Sequence, residues 1–481
     1  MTAVVSEVRR GGERLAGAAG LVAAVALPAL LLATPWAARW WLAAAAVTIP
    51  AALVALRWPL IAWWAAVAAA PMSVELPVAL GDARLSAPSE PLMVLALLAW
   101  AAHRWRGDAT PLPVAWRHPV ALLAAAVLGW TALSAACGTA PVVGLKLLVV
   151  RSLQAATCLG LGLVILRRPA DLARLALIGS LALAPVIALA VVRLTASGFD
   201  SRMVYNSAAP FFPNRLELTV LAGFWLVAGT FGPPSRPLRP LWIASLAVPG
   251  VAILLLSSRA GWLCLAVGLA VRALTALRPR PAALAAAGVA AAVLLGGLAV
   301  DAARWWDERS SPAASSGALD PFWRSVATSF LDGDASALER LNRWRCALVM
   351  AAERPLTGFG PGAFEGAYGR YQRTHDLTPA STFAGDRGDA HSQPLGTLAE
   401  QGSVGLALEL ALLGAALACG VRAAWRAPDR QRRTAAAAWT GAVAGLAAAG
   451  LFVGWSDLPA TGPAAWLALA ALVRLEAGDT P

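Results

Sequence analysis

The sequence predicts an all-α polytopic membrane protein with about twelve to fourteen transmembrane helices and one large, partly helical outer loop ahead of the last few. Three observations carry this. Of the 481 residues 59% are hydrophobic, and mean hydropathy is +0.65, whereas a soluble domain is about 45–50% apolar even with glycine counted. Apolar runs recur along the chain, most of them long enough to cross a hydrocarbon core of about 30 Å as a helix, the conformation that satisfies its own backbone polar groups. Finally, a hydrophilic interval at 301–394 separates two membrane blocks.

The first block, residues 1–300, holds runs at 15–33, 37–56, 58–72, 90–103, 118–136, 143–166, 171–192, 214–231, 240–256, 260–277 and 282–300. The second, residues 395–481, holds runs at 395–420, 434–455 and 461–475. Those at 58–72 and 90–103 are short, which makes twelve spans the lower count. Orientation follows from arginine placement, because positive charge near helix ends stays cytoplasmic. Arg9, Arg10 and Arg14, then Arg104, Arg106 and Arg117, then Arg167, Arg168 and Arg174 fall on one side. Arg236, Arg239, Arg272, Arg278 and Arg280 join them, as does the run from Arg422 to Arg433. Both termini are therefore expected inside and the 301–394 loop outside. That loop keeps ten arginines, and long loops translocate largely regardless of charge. Charge retained there points to a ligand.

The net charge of +12 is mostly this topogenic arginine and not a basic patch interleaved with aromatics, so nucleic acid is excluded as a partner and membrane lipids are expected. Lys146 is the single lysine. The five cysteines lack metal-ligand spacing; Cys137 and Cys346 both fall on the outer side, where a disulfide is permitted. The basic first segment reads most simply as an uncleaved first helix.

Smaller elements can be placed as well. Residues 74–85 alternate apolar and polar around Gly81-Asp82, predicting an external hairpin. Within the outer loop, 310–320 is rich in Ser, Ala, Pro and Gly. From 336 to 352, Ala337, Leu341, Trp344 and Leu348 recur at helical spacing as one apolar face, while Arg340 and Arg343 share another and can grip one anion together. Pro355 stops this helix by disfavouring helical geometry at Arg354. Glycines 358, 360 and 362 then form a tight turn, and Phe364, Tyr368 and Tyr371 make an aromatic stripe for packing or for sugar rings.

Chemistry concentrates at the outer surface. His391 precedes the apolar run at 395, and imidazole is the side chain suited to taking a proton near neutral pH; the alternative is a polar residue closing the loop. Glu400, inside the start of that helix, is placed to orient His391, to pair with an arginine, or to serve a structural ion pair. Arg259 interrupts two spans at the outer end of a tight hairpin, where its planar fork suits phosphate oxygens or snorkels at the interface. Arg215 opens another helix on the same side, as a second phosphate ligand or a local partner of Glu217. Asp386 and Asp389 form a pair without a third carboxylate, too little for a divalent ion. Nucleotide-binding loops and zinc spacings are absent from the sequence.

Three stretches resemble the O-antigen ligase/O-antigen polymerase superfamily: Ser257-Ser258-Arg259-Ala260-Gly261-Trp262; the Arg340–Trp344 helix leading into Pro355-Leu356-Thr357-Gly358-Phe359-Gly360-Pro361-Gly362; and His391-Ser392 followed by Glu400-Gln401-Gly402. The resemblance is specific over about 250–405. It implies an inverting glycosyltransferase in a bacterial inner membrane, with its active-site loop periplasmic and without metal or cofactor. The donor substrate would be an undecaprenyl-pyrophosphate-linked glycan and the acceptor lipid A-core oligosaccharide. By similarity His391 would be the general base, and Arg340 and Arg259 would hold the pyrophosphate. Arg343, Arg345, Arg215 and Glu400 would be further substrate-binding candidates. The superfamily often has asparagine after the histidine, where Ser392 stands here. A polymerase of the same superfamily and a protein O-oligosaccharyltransferase share these motifs. A transporter of polyprenyl-linked sugars is the alternative of a different class, with Glu217 and Glu409 as intramembrane carboxylates and Pro185 and Pro249 as helix breakers.

Overall fold

A computed structural model describes residues 57–77, 84–107, 114–198, 206–256, 258–277, 335–373, 377 and 388–478. The runs at 15–33, 37–56 and 282–300, the 310–320 stretch, His375 and Asp386 lie outside them. Helices dominate, as an all-α polytopic membrane protein requires, and six are long and apolar enough to cross a membrane among the described residues.

The chain divides into two units. In the smaller, Met1–Trp64 with Leu95–Thr110, Trp63 and Trp64 meet edge-on at 4.7 Å and the Arg104 guanidinium lies 5.6 Å over the Trp100 ring. The larger, Ala65–Val94 with Pro111–Pro481, carries the site. Helices α1 (Pro59–Ala69) and α2 (Ser89–Trp105) run through the boundaries between the units. Between them lies the expected hairpin, β1 (Val74–Pro77) antiparallel to β2 (Arg84–Ala87), with Val74 opposite Ala87 and Pro77 opposite Arg84.

Helix α3 (Pro119–Cys137) is followed by α4 (Pro141–Ile165), whose middle, Ala155–Leu161, widens into a π-helix. The run at 171–192 splits into α5 (Pro169–Leu181) and α6 (Ala184–Ala196), because Pro185 is accommodated in the first turn of a new helix. Pro249, by contrast, is tolerated inside α8 (Arg239–Leu256), which follows α7 (Arg215–Gly229). Next come α9 (Arg259–Leu277), α10 (Ala335–Glu353), α11 (Gln393–Arg426), α12 (Arg430–Ala449) and α13 (Thr461–Ala477). Helices α9 and α12 approach so closely that a Cβ at Gly445 would collide with the Cys264 carbonyl, the small-residue packing by which membrane helices associate. Trp439 of α12 is fully buried and meets Phe224 and Trp225 of α7 edge-on, both at 6.1 Å. Cys137 and Cys346 are both free thiols, so the permitted disulfide does not form.

Helix α11 is broken. Gly402 sits at φ 69, ψ −173, which ends one helical piece and starts the long one behind it. The carbonyls released by the break are taken up by the glycine turn: Phe359 N donates to Ala399 O at 3.0 Å and Gly360 N to Glu400 O at 2.7 Å. On the other side Ser403 N donates to Pro355 O at 2.7 Å. Helix α3 completes the set, with Ser134 Oγ on Glu400 O and Trp130 Nε1 on Gln401 O. A buried backbone carbonyl without such a partner would be costly, so turn and break fold as one unit.

Candidate functional site

Helix α10 is rotated differently from the apolar face read in the sequence. Leu348 is exposed, whereas Asn342, Arg343, Cys346, Ala347 and Met350 are buried. The cause is Arg343. Its Nε lies 2.6 Å from Glu339 Oε1, one helical turn back, its Nη1 donates to Asp389 O at 2.8 Å, and its guanidinium stands 5.2 Å over the Tyr368 ring. With its charge matched and its fork satisfied, the arginine is stable inside and brings its face of the helix with it. Tyr368 in turn stacks on Phe364 at 5.1 Å, and both rings are buried, so that part of the aromatic stripe packs.

Arg343 thereby fixes the segment that presents the histidine. His391 adopts φ 50, a left-handed conformation costly for a side-chain-bearing residue. Asp389 supports it: Oδ1 accepts from the His391 amide at 3.1 Å and lies 3.1 Å from Nδ1. Partial desolvation raises the Asp389 carboxyl, but the hydrogen bonds and charge of His391, with Arg343 behind, outweigh it and hold the group below the ordinary carboxylate range. An ionised Asp389 selects the Nδ1–H tautomer and leaves Nε2 as the basic nitrogen.

His391 and Arg340 line one cleft, together with Asp389, Val453 and the start of α7, Asn214, Leu216 and Glu217. Asn214 caps α7, Oδ1 accepting from Leu216 N at 2.9 Å, and its amide donates to Glu217 Oε1 at 3.2 Å. Trp344 of α10 packs on Phe452 at 5.9 Å, beside Val453, and Gln393 N donates to Gly450 O at 2.7 Å, so the loop after α12 closes one wall.

The other sequence candidates lie elsewhere. Arg343 is a buried tie and does not join Arg340 in gripping one anion. Arg345 Nη2 donates to Tyr371 O at 3.4 Å. Arg215 Nη1 donates to Leu256 O at 3.0 Å, three residues before Arg259, which opens α9 with its side chain exposed. It is Asp389, not Glu400, that reaches His391; Glu400 Oε1 accepts from Phe364 N at 3.1 Å and steadies the glycine turn. A second cavity lies among α3, α4, α11 and α13, where Arg151 makes a two-pronged bond to Asp457 at 2.7 and 2.9 Å. His118, Cys419 and Glu476 also cluster. There His118 Nδ1 accepts from Val120 N, which leaves Nε2 carrying the proton, and Arg422 already occupies Glu476.

A broken, apolar helix thus presents a carboxylate-held histidine in the cleft that Arg340 also lines, an arrangement able to take up a proton beside a cation. Residues 244–410 match the O-antigen ligase family model, a likeness to the O-antigen ligase/polymerase superfamily over that part of the chain. No curated protein matches the chain. The matched segment contains Arg259, Arg340 and His391; Asn214 and Glu217 lie before it.

Proposed function

We propose that the protein is an inverting, metal-independent glycosyltransferase of the O-antigen ligase type. It moves a glycan from undecaprenyl pyrophosphate to lipid A-core oligosaccharide at the periplasmic face of the inner membrane. The observation that supports this best is the shared cleft of His391 and Arg340, with His391 held by Asp389. The acceptor hydroxyl oxygen attacks the anomeric carbon on the face opposite the pyrophosphate. The bond from that carbon to the phosphate oxygen breaks, and the hydroxyl proton passes to His391 Nε2. Arg340, with the exposed Arg259, neutralises charge developing on the departing pyrophosphate, a preorganised electrostatic contribution.

The reading is tested with purified protein in proteoliposomes carrying labelled undecaprenyl-pyrophosphate glycan, offered lipid A-core or more lipid-linked glycan. Transfer to lipid A-core that survives chelator supports the ligase. Elongation of lipid-linked glycan instead assigns a polymerase, and donor crossing the bilayer without any new glycosidic bond assigns a transporter.

A further inference from the structure

We propose that Glu217 is the residue that orients the acceptor sugar, its carboxylate accepting hydrogen bonds from hydroxyl groups of the ring that carries the nucleophile. This rests on the glycosyltransferase reading above. Glu217 is 7% exposed yet lines the cleft that holds His391 and Arg340. At the third position of α7 a glutamate ordinarily turns back to the capping residue's backbone amide. Here Oε1 instead takes the side-chain amide of Asn214 at 3.2 Å, so the capping residue holds the carboxylate in place on the cleft wall.

The cleft consequently has chemically opposed groups. Arg340 suits the oxygens of a pyrophosphate, whereas a carboxylate repels them and is an acceptor only, matched to sugar hydroxyls. Two substrates must meet where His391 works, one anionic at its reacting end and one offering a hydroxyl. The α7 wall, with Asn214, Leu216 and Glu217, fits the second. The contact lies outside the matched 244–410 segment, on an element that differs from the one carrying Arg340, so acceptor choice and donor binding reside on separate parts of the chain.

The test compares wild type, Glu217→Gln and Asn214→Ser in the proteoliposome assay. Serine keeps the helix cap but removes the amide that holds Glu217. Loss of a hydrogen bond to a charged group predicts a KM for the acceptor raised about 10- to 100-fold in Glu217→Gln and by a smaller factor in Asn214→Ser. The KM for the donor and the pH profile stay as in wild type. A raised donor KM, a moved pH limb or a fall in kcat at unchanged acceptor KM overturns the proposal. Binding of lipid A-core to the His391→Ala protein, with and without Glu217→Gln, separates this from the reaction itself. Weaker binding in the double variant supports the acceptor contact even if no transfer is detected, and equal binding by a normally melting double variant refutes it.

Discussion

The Gly360 amide donates to the Glu400 carbonyl at 2.7 Å, joining the glycine turn after α10 to the break in the helix that follows His391. Two further backbone bonds, Phe359 N to Ala399 O and Ser403 N to Pro355 O, join the same two segments, so the start of α11 that follows His391 is tied to the glycine turn. Gly402 has φ 69, and a Cβ there would collide with the Leu356 carbonyl. Gly402→Ala should therefore cost at least about 1–3 kcal/mol and abolish transfer together with thermal stability. Thermal unfolding and transfer measured on the same detergent-purified sample check this.

Arg340 and Arg343 lie one turn apart and should fail in opposite ways. Removing Arg343 takes from Glu339, which is 4% exposed, its ion-pair partner at 2.6 Å, so Arg343→Ala should lower stability by about 3–5 kcal/mol. Arg343→Lys should rescue little, since an ammonium cannot reach Glu339 and the Asp389 carbonyl with one planar fork. Arg340→Ala should melt like wild type and lose transfer. Melting curves and initial rates for the three variants decide it.

Asp389 supplies a pH dependence of known sign. Its folded-state pKa lies below the ordinary value, so its contribution to stability is fully present above the unfolded-state pKa of about 4 and is lost as pH falls through the lowered folded value. Wild type should therefore melt above Asp389→Asn at pH 6, and the two curves should converge in stronger acid. Melting temperatures across pH 2–7 measure the difference.

The Arg151–Asp457 pair should be asymmetric. Arg151 has a side chain 9% exposed and Asp457 37%. Asp457→Ala leaves a buried cation unpaired and should cost about 3–5 kcal/mol, whereas Arg151→Ala leaves a carboxylate that water reaches and should cost less. Comparing both single variants with the double variant tests this; the double should be more stable than Asp457→Ala.

Much of this was readable from residues in isolation. Hydropathy located α3, α4, α8, α9 and α11, Pro355 marked the end of α10, and alternation around Gly81-Asp82 marked the hairpin. His391 and Arg340 stood out by residue type and position and do share a cleft. The rest depends on contacts between distant segments. Arg343 reads as a partner of Arg340 in gripping an anion until Glu339, Tyr368 and Asp389 enclose it. Asp389, two residues before His391, was weighed only as half of a metal pair, although an acidic residue at that spacing can close a turn onto the following amide. Glu217 reads as a local partner of Arg215 or an intramembrane carboxylate until α7 meets α10 and the 388–391 segment. The runs at 15–33, 37–56 and 282–300 fall outside the described residues.

The most direct test of the central claim is the rate of glycan transfer to lipid A-core by His391→Ala relative to wild type, in proteoliposomes containing the labelled undecaprenyl-pyrophosphate donor. Loss of a general base predicts a fall of about 10²- to 10⁴-fold in a protein that remains folded and binds the donor as wild type does. Transfer at the wild-type rate by a folded His391→Ala protein would contradict the assignment of His391, and with it the site built around Asp389 and Arg340.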